Sequence, residues 1–244
     1  MANRYDIVVV GGGHAGIEAA VAAARMGSTV ALITMDPAAI GRMSCNPAIG
    51  GTAKGHLVRE IDALGGVMAR IADISAIQFK MLNRSKGPAV WSPRSQNDRE
   101  DYSHIARRVV EETPNVDIVT GMVELLHVEN DRVAGVTTSE GDALACHALI
   151  VCAGTFLNGA MYTGLDKSIG GRFGEQHATG ITETLLRYGF ETGRLKTGTP
   201  PRVSLCSIDL DETTIAPGDE PPQPFSFQSP VPDFEQVPCY ITRT

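Results

Sequence analysis

Apolar residues in the first thirty-five positions fall into short blocks separated by glycine and polar residues, and the blocks differ in character. Residues 6–10 carry an unbroken β-branched run, Ile7-Val-Val-Val10, which predicts a strand buried on both faces. Residues 14–26 are rich in alanine and predict a helix, with Gly27 placed to end it at a C′ position. Residues 29–33 repeat the buried-strand pattern, so the three blocks have the order and length of a βαβ unit.

Further along, 41–55 is dense in Gly, Pro, Ser and Asn and reads as a long structured loop. Leu57, Val58, Ile61, Leu64 and Met68 recur at helical spacing and predict one helix over 54–71. A second helix is expected over 97–112, with Asn97 as its N-cap, followed by a strand at 116–121. Three blocks, 123–127, 132–137 and 143–147, read as a β-meander with a turn at Glu129-Asn130-Asp131. Residues 148–152 (Ala-Leu-Ile-Val-Cys) predict another buried strand, followed at once by Ala153-Gly154-Thr155. Seven prolines lie between Pro217 and Pro238, which predicts an irregular connector outside the core. The last five residues are β-prone with no later strand to pair with, which suggests the start of a further domain in a longer chain.

The glycines at 11, 13 and 16 form Gly11-x-Gly13-x-x-Gly16 between the first strand and the first helix. In that setting the first glycine permits a tight turn, the second lets a pyrophosphate approach the backbone, and the third lets helix and strand pack closely. The helix N-terminus adds donors and partial positive charge for the same anion. Gly11, Gly12, Gly13, His14, Ala15 and Gly16 are therefore candidate cofactor residues, with His14 read as packing in the loop rather than as a catalyst. The end of the second strand, where an acidic ribose contact is usual, falls on Thr34; Asp36 could substitute but reads more simply as a turn residue before Pro37. NAD and FAD are not separated by this feature. A meander before a strand ending in small residues resembles the glutathione-reductase type of FAD domain, which adds Val123, Ala153, Gly154 and Thr155 to the cofactor set. The expected fold is thus α/β and Rossmann-like, a parallel sheet flanked by helices with a meander inserted. An FAD-binding domain over 1–202 and a Pro-rich acidic connector over 203–244, opening a second domain, complete the expected organisation.

Composition narrows the class. Of 244 residues, 43% are hydrophobic and 20% charged, which excludes wholesale disorder, and no apolar run is long enough to cross a membrane as a helix. No signal-like cleavage site follows the N-terminus. The five cysteines (45, 146, 152, 206, 239) form no Cys-x-x-Cys pair, so neither a disulfide scaffold nor a zinc site is expected, and a reducing, cytoplasmic setting is the default. The net charge is −7, yet 70–108 holds eight basic residues against four acids. Seven acids and no Lys or Arg fall between Ser207 and Thr242. A chain acidic in bulk can therefore keep a basic face for an anionic partner.

The loop Gly41-Arg-Met-Ser-Cys-Asn-Pro-Ala-Ile-Gly-Gly51, with Lys54-Gly-His-Leu-Val-Arg-Glu60 after it, is too specific to be generic. Together with Met81-Leu-Asn-Arg-Ser-Lys-Gly-Pro-Ala-Val90, Gly193-Arg-Leu-Lys-Thr-Gly-Thr-Pro-Pro-Arg202 and Pro238-Cys-Tyr-Ile-Thr242, it resembles the bacterial flavoproteins that modify the wobble uridine of tRNA, the glucose-inhibited division protein A family. The resemblance implies FAD, NADH as its reductant, a methylene-tetrahydrofolate as carbon donor, a GTPase partner, a homodimer, and a carboxymethylaminomethyl or aminomethyl group added to carbon 5 of the base. Two departures stand out: Ala53 where the family usually has glycine, and a chain less than half as long as family members, so that this piece alone is expected to be inactive. The flavoprotein tRNA uridine methyltransferases, and a non-catalytic FAD module, are the alternatives.

Cys45, in a glycine-rich loop before a helix and near Lys54, is the candidate catalytic thiol, in a setting that favours thiolate; the plain alternative is a small buried hydrophobe. Arg84, Lys86 and Arg94 surround the single Trp91, and Arg194 and Lys196 sit in a Pro-Gly-fixed loop with Arg202. Cations beside an aromatic suit phosphate contact and base stacking, so Arg84, Lys86, Arg94, Arg194 and Lys196 are the candidate tRNA contacts, against a solvated loop with Trp91 in a core.

Overall fold

The computed structural model describes residues 3–242; Met1 and Ala2 of the N-terminal reading, and Arg243 and Thr244 of the β-prone end, lie outside the described residues. In chain order the elements are β1 (Asn3–Val10), α1 (His14–Arg25), β2 (Val30–Thr34), β3 (Ala48–Gly50), α2 (Gly55–Ala63), α3 (Met68–Ile74), β4 (Ala76–Leu82), β5 (Ser92–Asn97) and α4 (Arg99–Glu111). They continue with β6 (Val116–Thr120), β7 (Val123–Glu129), β8 (Arg132–Thr138), β9 (Ala143–Val151), β10 (Ala160–Thr163), β11 (Asp166–Ile169), α5 (Ile181–Arg187), β12 (Thr214–Ala216) and β13 (Cys239–Ile241). The chain divides into two compact units, each discontinuous in sequence: Met1–Arg42 with Ala106–Lys196, and Met43–Ile105 with Thr197–Thr244.

The first unit is built on a six-stranded sheet in the order β6-β2-β1-β9-β8-β7. β6, β2, β1 and β9 run parallel, and β8 and β7 add antiparallel. The expected α/β class and inserted meander are both present. Val8, Val9, Val30, Ala31, Leu32 and Ile33 are fully or almost fully buried, as continuous apolar strands in a covered parallel sheet must be. α1 buries Gly16, Ile17, Ala20, Val21, Ala23 and Ala24, a stripe in which glycine and alanine outnumber the two β-branched residues and let its axis approach the sheet. It stops where Gly27 turns left-handed (φ +94°), with the amides of Gly27 and Ser28 returning to Ala24 and Ala23. Asn130 and Asp131 both adopt positive φ and make the expected tight turn between β7 and β8.

One expected boundary is absent. The third meander strand and the buried strand after it are a single strand, β9, whose first residues pair antiparallel with β8 while the whole length runs parallel to β1. No turn residue separates 147 from 148, so nothing in the chain breaks the strand.

The second unit holds a three-stranded antiparallel sheet, β3-β5-β4, and the β12-β13 pair. Here several expectations are corrected. The single helix over 54–71 is two, α2 and α3, because Gly65 turns to φ +90° and the Gly65 and Gly66 amides cap Asp62 and Ile61. The 41–55 loop contains the short strand β3. Asn97 is not an N-cap: it ends β5, and its buried amide donates to the Ala72 carbonyl and Ser75 Oγ. Asp98 caps α4 instead, its Oδ1 accepting from the amides of Glu100 and Asp101.

The Pro-rich segment is irregular but not outside the core. Phe225 is 1% exposed, and Asp73 accepts the amides of Phe225 and Ser226 while Asp62 accepts that of Phe227. The segment lacks internal ladders, so its backbone donors are satisfied from outside it: those of 225–227 by carboxylates on α2 and α3, and those of Asp219 and Val237 by the Phe79 and Ile77 carbonyls of β4. The residues at 239–241 pair with β12, which precedes them in the chain.

Candidate functional site

Strands β1, β2 and β9 end side by side, and the residues that follow them line one cleft in the first unit. Val10-Gly11-Gly12-Gly13 come from the turn into α1, Thr34-Met35-Asp36 from the end of β2, Met122-Val123 from the start of the meander, and Cys152-Ala153-Gly154 from the end of β9. The cleft encloses about 750 Å³, its open mouth included. Ligands of open α/β sheets bind at the carboxyl ends of the strands, where neighbouring connections diverge to opposite faces. The lining residues of this cleft occupy such a place.

The glycines differ in what they do. Gly11 sits at φ +106°, and a Cβ there would overlap the Cys152 carbonyl of the adjacent strand. Gly16 is buried, and a Cβ would overlap the Gly11 carbonyl, so it holds α1 against the turn. A Cβ on Gly12 would lie 2.9 Å from Ile40 Cγ1. Gly13 is different: its backbone is extended (φ −77°, ψ −176°), and an added Cβ would meet nothing within 4 Å. Three glycines are thus required by the protein, whereas the space beside Gly13 is open. α1 begins there without a side-chain cap or an acidic residue in its first turn. A helix start left in this state suits an anion.

Of the expected cofactor residues, Gly11, Gly12, Gly13, Thr34, Val123, Ala153 and Gly154 line the cleft together. His14, Ala15 and Gly16 form the first turn of α1 behind it. Thr155 has a local task, its Oγ1 donating to the Gly171 carbonyl. Burial, and then the charge of Arg172, hold the His14 imidazole below its ordinary pKa of 6.5, so the neutral ring is favoured.

The sequence reading missed the segment after β11. Arg172 and Glu175 line the cleft, and Phe156 lies beside them. The Arg172 guanidinium stands 5.0 Å above the Phe156 ring, and its Nε lies 3.7 Å from Glu175. Glu175 also accepts from Arg42 at 2.7 Å, and Arg42 reaches Asp36 at 3.7 Å. No motif marks Arg172 in the sequence; it becomes visible only when 170–178 folds back on 155–158, joined by the Ala178–Phe156 and Asn158–Ala178 hydrogen bonds.

The remaining candidates lie elsewhere. Cys45 belongs to the second unit and is exposed, not the buried hydrophobe of the plain alternative; its thiol donates to the Gly198 carbonyl at 3.4 Å, and its own carbonyl accepts from Arg202. Arg84 and Lys80 share Asp219, at 3.0 and 3.3 Å, so part of the basic block is neutralised by the acidic segment. Trp91 is 41% exposed and donates to the Arg84 carbonyl, which corrects its placement in a core and leaves it on the surface with Arg84 and the exposed Lys86. Arg94 is half-buried on β5. Arg194 donates to the Asn158 carbonyl in the first unit, and Lys196 lies in the exposed stretch 186–212. Among the described residues no His, Cys, Asp and Glu group could hold a metal ion, and no helix is long and apolar enough to cross a membrane.

The family model "Glucose inhibited division protein A" matches residues 6–244, which takes in both units and the whole cleft. The chain belongs to the GidA family. Among its relatives, the tRNA uridine 5-carboxymethylaminomethyl modification enzyme MnmG of Thermodesulfovibrio yellowstonii is 52% identical over 98% of this chain, and that of Cytophaga hutchinsonii 53% identical over 100%. The chain spans about 40% of the length of these relatives. GidA of Aquifex aeolicus, in its form I crystal, superposes with a TM-score of 0.94 at 46% identity, over 98% of this chain and 41% of that one. A GidA-related protein from Thermus thermophilus shares the fold, with a TM-score of 0.56 at 21% identity over 77% of this chain and 69% of that one.

Proposed function

We propose that this chain supplies the FAD-binding part of a tRNA-modifying flavoenzyme that acts on carbon 5 of the wobble uridine. The observation that carries the reading is the cleft of the first unit, where the glycine turn, the uncapped start of α1 and the ends of β1, β2 and β9 meet, in a GidA-family chain. The open space beside Gly13 fits a pyrophosphate at the helix start. Val123 is assigned to the adenosine end by backbone contact, Thr34 to the ribose position at the end of β2, and Ala153, Gly154 and Thr155 to the approach of the cofactor toward the sheet. When bound, FAD supplies the redox chemistry; the chain's own residues orient it and shield it from water. NADH is the proposed reductant and methylene-tetrahydrofolate the proposed carbon donor, with a GTPase partner, a homodimer and a cytoplasmic setting belonging to the whole protein.

Cys45 is the proposed nucleophile toward the pyrimidine, supported by an exposed thiol that Arg202 and Gly198 hold within its loop. Arg84, Lys86, Arg94, Arg194 and Lys196 are the proposed phosphate contacts, with Trp91 available for stacking. The names of the relatives favour carboxymethylaminomethyl over methyl transfer.

Purification of this chain with added FAD tests the cofactor: a flavin absorbance spectrum that survives gel filtration supports the reading, and a colourless folded protein refutes it. In a full-length relative carrying the same loop, replacing the cysteine equivalent to Cys45 by serine should abolish uridine modification while flavin content stays at the parental level. Modification at the parental rate would return Cys45 to a structural part.

A further inference from the structure

Thr34, the last residue of β2, stands where a ribose contact is usual, but its hydroxyl is already committed. Its side chain is almost closed off, with the residue 9% exposed, and Oγ1 donates to the Asp36 carbonyl at 3.3 Å. The acid two positions later is arranged differently. Asp36 lines the cleft, and its side chain is 55% exposed. Its two oxygens have separate surroundings. Oδ1 accepts the Ala38 amide at 2.9 Å, which holds the side chain against the short turn 37–39. Oδ2 lies 3.7 Å from Arg42 Nη2, an ion pair too long to be a hydrogen bond, and so keeps its acceptor capacity. Glu175, which also lines the cleft, is more heavily engaged, accepting from Arg42 at 2.7 Å and lying 3.7 Å from Arg172.

Backbone hydrogen bonds on either side fix where Asp36 stands along the cleft. The Gly121 amide donates to the Thr34 carbonyl at 2.9 Å, so the start of the meander, with Val123, abuts the end of β2. The Gly41 amide donates to the Gly12 carbonyl at 2.9 Å, which ties the segment after Asp36 to the glycine turn. Asp36 therefore stands between the segment assigned to adenosine and the turn assigned to the phosphates. In a nucleotide that interval belongs to the ribose, whose 2′- and 3′-hydroxyls need acceptors. An ionised carboxylate accepts and cannot donate, so it suits a vicinal diol and forms charge-assisted bonds with it.

We propose that Asp36 is the ribose-binding residue of the cleft, its Oδ2 accepting from the 2′- and 3′-hydroxyls of the adenosine end. The proposal rests on the reading of the cleft as a dinucleotide site, but not on which dinucleotide. The turn before Pro37 then has two tasks. One carboxylate oxygen caps it, and that bond holds still the oxygen that meets the ligand.

The test is calorimetric titration of this chain with ADP and with 2′,3′-dideoxy-ADP, for the parent and D36N, with circular dichroism confirming each fold. D36N keeps an oxygen for the Ala38 amide and puts a donating NH2 in place of the accepting Oδ2. Hydrogen bonds to an ionised group correspond to roughly a ten- to hundredfold change in affinity. The parent should favour ADP over the dideoxy analogue by that factor, and D36N should bind the two alike. The ratio is the readout, so any general effect of the lost charge on the phosphates cancels. If D36N does not fold, D36S takes its place, since a serine hydroxyl can still cap the turn. Equal affinity of the parent for both ligands overturns the proposal and leaves the dinucleotide reading standing. A parental preference for ADP that the variant retains overturns it as well, because another group then reads the diol. A parent that binds neither ligand overturns both the proposal and the reading of the cleft.

Discussion

Replacing the glycines of the first turn one at a time by alanine should separate what the protein needs from what its ligand needs. At Gly13 the backbone is already in an extended region open to any residue, and a Cβ touches nothing. Two small effects oppose each other there. Alanine restricts the unfolded chain, which stabilises by about 0.4–1 kcal/mol. It is also a poorer N-cap than glycine, by an amount of similar size. Gly13→Ala should leave stability within about 0.5 kcal/mol of the parent, and Gly13→Val should be little worse. At Gly11 the left-handed φ of +106° and the overlap with the Cys152 carbonyl act together, and the strain alone is about 1–3 kcal/mol. At Gly16 the obstacle is the Gly11 carbonyl, backbone that cannot turn aside as a side chain would. Gly11→Ala and Gly16→Ala should each lose at least about 2 kcal/mol, which for a chain of this size lowers the unfolding midpoint by several degrees. Thermal and urea unfolding of the three variants, followed by FAD titration of those that fold, gives both readouts. The ligand should reverse the order at Gly13: Gly13→Val keeps its stability and loses flavin, because its side chain takes the pyrophosphate's approach. A folded Gly13→Val protein that retains flavin would show that the phosphate lies elsewhere.

Two further outcomes are expected. Ala53 holds φ +62°, a left-handed conformation that suits glycine, so Ala53→Gly should stabilise the chain by roughly 1 kcal/mol in urea unfolding; a loss of stability would mean the methyl group matters more than the strain. His14 keeps a depressed pKa in the folded state, so the unfolded chain takes up its proton first: the His14 contribution is intact above pH 6.5 and is lost as pH falls from there through the folded value. His14→Gln should therefore flatten the decline in stability below pH 6.5, and an unchanged pH profile would count against a neutral, buried ring.

The central strands, the first helix and the meander were legible because each follows one period and each ends on a residue with a single job, such as Gly27 or Asn130-Asp131. Gly11 and Gly13 could be read in the same way, since their spacing states a geometry. What the chain did not disclose depends on partners far away in sequence. Nothing near Asn97 says that it will hand its amide to Ala72 and Ser75 and leave capping to Asp98. Phe225 looks like a residue of a proline-rich connector until Asp73 and Asp62 take the neighbouring backbone donors. Arg172 belongs to a segment without motif or period, and only its fold back onto Phe156 brings it to the cleft.

The pairing of β1 also governs how this protein must be made. β1 meets β2 almost at once, but its other edge waits for β9, and Asn3 finds Leu144 only about 140 positions later. At roughly 5–20 residues per second of synthesis, that edge stands open for about 7–28 s on the ribosome. It is a strand of Ile7, Val8, Val9 and Val10, well suited to pairing with a stranger. The glycine turn proposed to receive the cofactor is completed only when the Cys152 amide docks on the Val10 carbonyl. A nascent chain therefore cannot complete this proposed ligand site before that apolar edge has been closed, and any substitution that slows the arrival of β9 should appear first as lost yield rather than as lost affinity.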